Sequence, residues 1–214
     1  KKIYPIENYG SAMTPFYSTL AIWVGAVVMA AMLKVTVADS TKKKLTNPKE
    51  HQLYIGRILL LIIIGFMQSA LICLGDLFFL GIQCKHPVMF VLTGMFTSFV
   101  YVNLIYALTV SFGDIGKAIA VVLMVMQVAG SGGTFPIQCA PKFFQVVYPL
   151  LPFTHSMNAM RECIAGFYET TYATELGKLA IFLVPSLLLG LLLRKPIIKM
   201  NDAFMEKLES THLI

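Results

Sequence analysis

The stretch Ile58-Leu59-Leu60-Leu61-Ile62-Ile63-Ile64 is apolar without interruption, and it opens a segment, 58–79, whose one acidic residue is Asp76. A helix needs about 20 such residues to cross a hydrocarbon layer of about 30 Å. A lone strand would leave its backbone groups unpaired in lipid, so the segment predicts a membrane helix. Four neighbours repeat the pattern. Upstream lies 11–33, with the only tryptophan, Trp23; downstream lie 88–110, 115–130 and 177–193. The expected fold is an all-α integral membrane protein of about five spans, with a membrane domain over 11–195, a lead-in over 1–10 and a tail over 196–214.

Composition agrees. Of 214 residues, 57% are hydrophobic and 13% charged, against roughly 25% charged in a soluble domain. Mean hydropathy is +0.74. A soluble fold of this size has too much surface to hide that apolar content. The net charge of +6 does not point to nucleic acid, because the basic residues fall between apolar segments and form no stripe with interleaved aromatics.

Those basic residues set an orientation. One side of the five spans receives Lys34, Lys42, Lys43, Lys44, Lys49, Arg57, Lys117, Arg194, Lys195, Lys199 and Lys207. The other receives Lys1, Lys2, Lys85, Lys142, Arg161 and Lys178. The richer side is expected to be cytoplasmic, which places the N-terminus outside a plasma membrane and the C-terminus inside. The chain starts at Lys1 without a methionine or the layout of a cleavable signal peptide, and reads as a piece of a longer protein.

Three segments outside the spans carry the remaining information. The loop 34–56 holds Asn47-Pro48, an N-cap followed by proline at the first helical position. It reads either as a short helix over 48–54 or as a solvated loop beside anionic headgroups. The external segment 134–171 is too apolar for a solvated loop, and Pro136, Pro141, Pro149 and Pro152 cut it into pieces too short to span. Short helices are expected over 141–148 and 153–166, either as a re-entrant hairpin covered by protein or as amphipathic helices on the lipid surface. The tail 201–214 reads as a short amphipathic helix or an unstructured end.

Chemistry-bearing groups are sparse. Asp76 stands near the outer end of its span, where a carboxylate is tolerated at headgroup depth or beside a neighbouring helix. Gln68, Asn103 and Gln127 lie deeper and are neutral. Interhelical hydrogen bonding accounts for them; a polar substrate pathway through Gln68, Asp76, Asn103 and Gln127 is the functional alternative. The histidines His51, His86, His155 and His212 fall in loops or interfacial segments without ligand spacing, so no metal or other cofactor is expected. Gly130-Ser131-Gly132-Gly133 lacks the Lys and Ser/Thr of a phosphate loop and reads as a helix breaker. Cys84, Cys139 and Cys163 lie on the external side, where Cys84–Cys139 or Cys84–Cys163 pairing is compatible with an oxidising exterior. No enzymatic activity is expected.

The segments Asn8-Tyr9-Gly10, Pro15-Phe16 and Leu20-Ala21-Ile22-Trp23-Val24-Gly25 resemble the entry to the membrane region of the phage infection protein family (YhgE/Pip). So do Ser111-Phe112-Gly113-Asp114-Ile115-Gly116-Lys117 and, most specifically, Gln127-Val128-Ala129-Gly130-Ser131-Gly132-Gly133-Thr134-Phe135-Pro136. Pro141-Lys142-Phe143-Phe144-Gln145, Leu151-Pro152-Phe153-Thr154 and Arg161-Glu162 follow in that family's order. His155 and Ser156 stand where family members often carry Tyr and Ala. The resemblance implies the C-terminal membrane portion of a Gram-positive envelope protein, similar to the permeases of type-2 ABC exporters. It assigns the 134–166 segment, with Gly130, Gly132, Gly133, Pro136, Pro141, Pro152 and Arg161, to an external re-entrant hairpin. It assigns the 34–56 loop, with Asn47, Pro48 and Glu50, to coupling with a separate ATPase. The implied partners are the lipid bilayer and a second, identical or homologous, permease. The alternative is a non-transporting anchor for an external domain used by phage or by type VII secretion.

Overall fold

The computed structural model describes residues 6, 8–33 and 50–193. Among these, all regular structure is helical. Helix α1 is Tyr9–Met32, α2 is Glu50–Phe78, α3 is Pro87–Phe112 and α4 is Asp114–Gly130. A 3₁₀ turn over Ile137–Cys139, a short α5 (Lys142–Val147), a second 3₁₀ turn over Tyr148–Leu150 and α6 (Pro152–Ala165) follow. The last stretch comprises α7 (Thr171–Ile181), α8 (Leu183–Leu187) and a π-helical turn over Leu188–Leu193.

Tyr9–Met32, His51–Phe78, Pro87–Phe112 and Thr171–Leu191 are long and apolar enough to cross a membrane. Helix α4 has 17 residues, the short limit of a span of about 17 to 25 residues. Two boundaries differ from the expected spans. Helix α2 begins two turns before Ile58, so residues 50–56 of the anticipated loop are helical and continuous with the span. The last crossing begins at Thr171, six residues before Gly177, because protein covers Glu175 and the more exposed Lys178 pairs with it. The remainder of the 34–56 loop, with Asn47 and Pro48, and the tail 196–214 lie outside the described residues, as does the side chain of Glu50.

Helix α3 is the hub and packs against α1, α2, α4, α6 and α8. It has no charged residue and buries hydroxyls along its length. Thr93 and Thr109 return their protons to carbonyls one turn back, Met89 and Ile105, which satisfies each hydroxyl without water. Trp23 of α1 is fully buried beside Tyr101 of α3, edge to face at 4.8 Å. Its Nε1–H donates to the Ala120 carbonyl of α4 at 3.2 Å, so one indole joins three helices.

The last crossing is not the ordinary helix expected of it. Pro185 lacks an N–H, and the chain breaks between Ile181 and Leu183 before ending in the π turn. Such a turn tightens or loosens the backbone ladder where a neighbour demands it. Here the neighbour is Tyr54 of α2, whose hydroxyl would sit 2.2 Å from a β-carbon at Gly190. Ser111 of α3 donates to the Leu189 carbonyl at 3.4 Å.

Candidate functional site

The end of the bundle where α4 stops is built from the glycine run and the helices behind it. Gly132 has φ +63, a left-handed conformation that a side chain disfavours. At Gly133 a β-carbon would lie 2.0 Å from the Phe16 ring of α1, so only glycine lets the chain turn this close. Pro136 and Pro141 precede the 3₁₀ turn and α5, and Pro152 takes the first turn of α6, where its missing N–H leaves no donor unpaired. Helices thus occur where short ones were expected over 141–148 and 153–166. Helix α6 does not lie on the surface: Phe153, Met157, Ala159, Met160 and Cys163 are fully buried.

Each sequence-selected residue has a different partner. Gln127 is buried at the end of α4, and its Oε1 accepts the N–H of Phe153 at 3.2 Å. It therefore satisfies one of the free donors at the start of α6. Arg161 reaches back from α6, its Nη2 3.3 Å from the Gly132 carbonyl and 3.4 Å from that of Gly133, with Nη1 donating to Asn158. Burial pushes its guanidinium below the usual arginine value; an arginine starting so high still carries its charge at neutral pH. Gln127 and Arg161 thus fasten opposite ends of the glycine turn to one helix. Asp76 accepts from Ser18 of α1 through Oδ2. Asn103 is buried and donates to the Phe99 carbonyl of its own helix at 2.7 Å. Gln68 lies against α1 where Gly25 leaves room for it. No shared cluster forms from the four.

The far end of α6 is closed by the α2–α3 connection. Lys85 and His86 donate their backbone N–H groups to the Ile164 and Cys163 carbonyls at 3.3 and 3.0 Å. They thereby satisfy the orphan acceptors of a helix C-terminus, and the Lys85 chain lies beside Gly166, where a cation favours the helix dipole. Cys84 Sγ contacts the Cys163 carbonyl at 3.5 Å, and all four cysteines are free thiols. Burial raises the Cys84 thiol and pushes that of Cys163 up to about 11. Outside α5, an open cavity of about 370 Å³ is lined by Ala129, Phe135, Ile137, Ala140, Pro141 and Phe144 among others.

The sequence reading missed one polar network. His155, expected in a loop or interfacial segment, is buried at 4% exposure, with Nδ1 2.7 Å from Glu175 Oε2 and Nε2 2.9 Å from the Pro149 carbonyl. Lys178 completes the group by donating to Glu175 Oε1 at 2.8 Å. Ser156 is buried too, joined to the Tyr101 hydroxyl of α3. The Glu175–Lys178 spacing of three was a readable signal; the approach of His155 was not.

A helical bundle of this composition, with a proline-broken insertion before its last crossing, finds its counterpart in a known family. The model of the ABC-2 family transporter protein matches residues 2–192. The chain belongs to the ABC-2 transporter family. It is also 28% identical over 165 residues to "Uncharacterized protein YhgE" of Bacillus subtilis (strain 168), an alignment covering 77% of this chain and 20% of that protein. The chain thus spans about a fifth of the length of the curated relative it matches. No solved structure matches. Together these make it a YhgE/Pip-like ABC-2 permease domain, a membrane component with a permease-like role.

Proposed function

We propose that the chain is the membrane subunit of an ABC-type export system in the bacterial plasma membrane. The observation that carries this reading is the match to the ABC-2 transporter family over 2–192. In this proposal the end bearing Gly132 and α6 faces outward, in keeping with the excess of Lys and Arg at the opposite end. The loop 34–56, with Asn47, Pro48 and Glu50, meets an ATPase inside the cell, and a second copy or a homologue completes the pathway. Gln68, Asp76, Asn103 and Gln127 supply its polar contacts.

The packing supports a route for coupling. Residues 50–56 are rigidly continuous with α2, and Tyr54 seats on Gly190 of the π turn. A push on the loop would therefore move the first turns of α2 and reach the broken last crossing directly. That crossing changes from α-helical to π-helical along its length.

The test is affinity purification of the full-length protein from its native membrane. An ATPase is expected to co-purify, and replacing residues 34–49 by a glycine-serine linker of equal length should abolish its recovery while the protein remains folded. Recovery of no ATPase, or recovery indifferent to the linker, would contradict the proposal and favour a non-transporting anchor.

A further inference from the structure

The open cavity outside α5 is walled by the end of α4 and the turn that follows it, around a space of about 370 Å³. Its walls are fixed by contacts within the chain. Gln145 Nε2 donates to the Ala140 carbonyl at 2.8 Å and to the Gln138 carbonyl at 3.3 Å, which ties the 137–139 turn to α5. Phe144 seats α5 on α4 where Gly130 leaves room, since a β-carbon there would lie 3.0 Å from its ring. The cavity is therefore preformed, and it falls in the range of about 300 to 1,000 Å³ of small-ligand sites.

Water finds few partners in it. The wall carbonyl of Gly132 accepts from Arg161, that of Ile137 from the Ala140 N–H, that of Ala140 from Gln145, and that of Pro141 from the Phe144 N–H. Thr134 adds one hydroxyl to the lining and Cys139 one thiol; the lining carries no charged side chain. An enclosed water needs about two to four polar partners, and a charged solute costs more still to strip of its hydration. An apolar occupant meets neither cost.

The surroundings select which apolar occupant. Phe135, Phe143, Val146 and Leu150 are exposed along the same segment, a surface that suits acyl chains as solvent. Lys142, one residue past Pro141 of the wall, is exposed, and among the described residues it pairs with no carboxylate. A free cation beside a lipid-facing apolar cavity complements a phosphate at the head of an acyl chain. With a methylene taken as about the size of a water in the liquid, about 30 Å³, the space holds about a dozen of them.

We propose that this cavity is a phospholipid site, in which one acyl chain fills the space between α5 and the end of α4 and Lys142 holds the phosphate of an anionic headgroup. The bound chain props α5 against the glycine turn. The site stands independently of whether the protein exports anything; on the orientation proposed above, its lipid belongs to the outer leaflet.

Native mass spectrometry of the full-length protein, purified in detergent and titrated with phosphatidylglycerol or phosphatidylcholine, tests this. One phosphatidylglycerol should stay bound per chain, about fivefold more tightly than phosphatidylcholine, the effect of one lysine on an anionic headgroup. Ala129→Phe and Ala140→Phe, which put a ring into the cavity, should each weaken retention about tenfold by displacing buried methylenes. Leu71→Phe, on the outward face of α2, should leave it unchanged. Lys142→Gln should keep a bound lipid and erase the preference. If one filled variant fails to fold, the other decides. Equal binding of the two lipids by the wild type, retention that survives in a folded filled variant, a preference that survives Lys142→Gln, or a fatty acid or peptide in place of the phospholipid would overturn the site.

Discussion

Helices α2 and α6 invert the rule of a water-soluble core. Helix α2 holds the most apolar stretch of the membrane-length helices, and it turns Leu59, Met67 and Leu71 outward at 56%, 66% and 71% exposure. Helix α6 carries His155, Ser156, Asn158, Arg161 and Glu162, and ten of its fourteen residues are buried. In water this would be a misfolded protein. In a bilayer the apolar face has nothing to gain by leaving lipid, whereas polar groups gain by finding one another. Burial here follows hydrogen bonding and close packing as well as hydropathy.

Mutation should separate the two helices sharply. Phe153→Ala in α6 would open a cavity against Phe16, 5.6 Å away ring to ring. Its expected cost is about 3 kcal/mol, read as a lowered Tm in nanodiscs. An equal cost for an outward residue of α2 would break the contrast. The thiols give a second large effect. With Cys163 buried and pushed up to about 11, its thiolate is scarce at neutral pH and increases with pH up to that value. Alkylation near pH 8 should be about a hundredfold slower than at the exposed Cys139, as mass spectrometry would report. Comparable rates would mean that α6 is open to solvent.

Smaller effects sharpen the comparison. Arg161→Leu removes the donors from two glycine carbonyls and should cost about 2 kcal/mol, with proteolysis appearing first near Gly132. Ser18→Ala takes away the donor to Asp76 and should cost about 1 kcal/mol. Leu71→Ala, on the outward face of α2, should change Tm by no more than about 0.5 kcal/mol equivalent.

What the sequence revealed divides along the same line. The long helices were legible because lipid selects uninterrupted apolar runs, as at Ile58–Ile64. The short helices after the glycine run were legible from Pro141 and Pro152, whose chemistry acts locally. The start of α7 was missed because Glu175 and Lys178 look like solvent residues until His155 is seen against them. The break at Pro185 was passed over within a run of leucines. Gln127 and Asn103 stood out as polar residues in apolar surroundings, but their partners, the Phe153 N–H and the Phe99 carbonyl, are backbone groups. No residue pattern announces those. Contacts made between elements far apart in sequence are the part that a single chain withholds.

Photolabelling with a phospholipid that carries a carbene source in its acyl chain tests the inverted arrangement most directly, because it needs no mutation. In nanodiscs of the wild-type protein, peptide mapping should place the adducts on residues 58–74 of α2 and leave 152–165 of α6 nearly unlabelled. Labelling of α6 equal to that of α2 would show that the polar helix lies against lipid, and would contradict the account of how this bundle is held together.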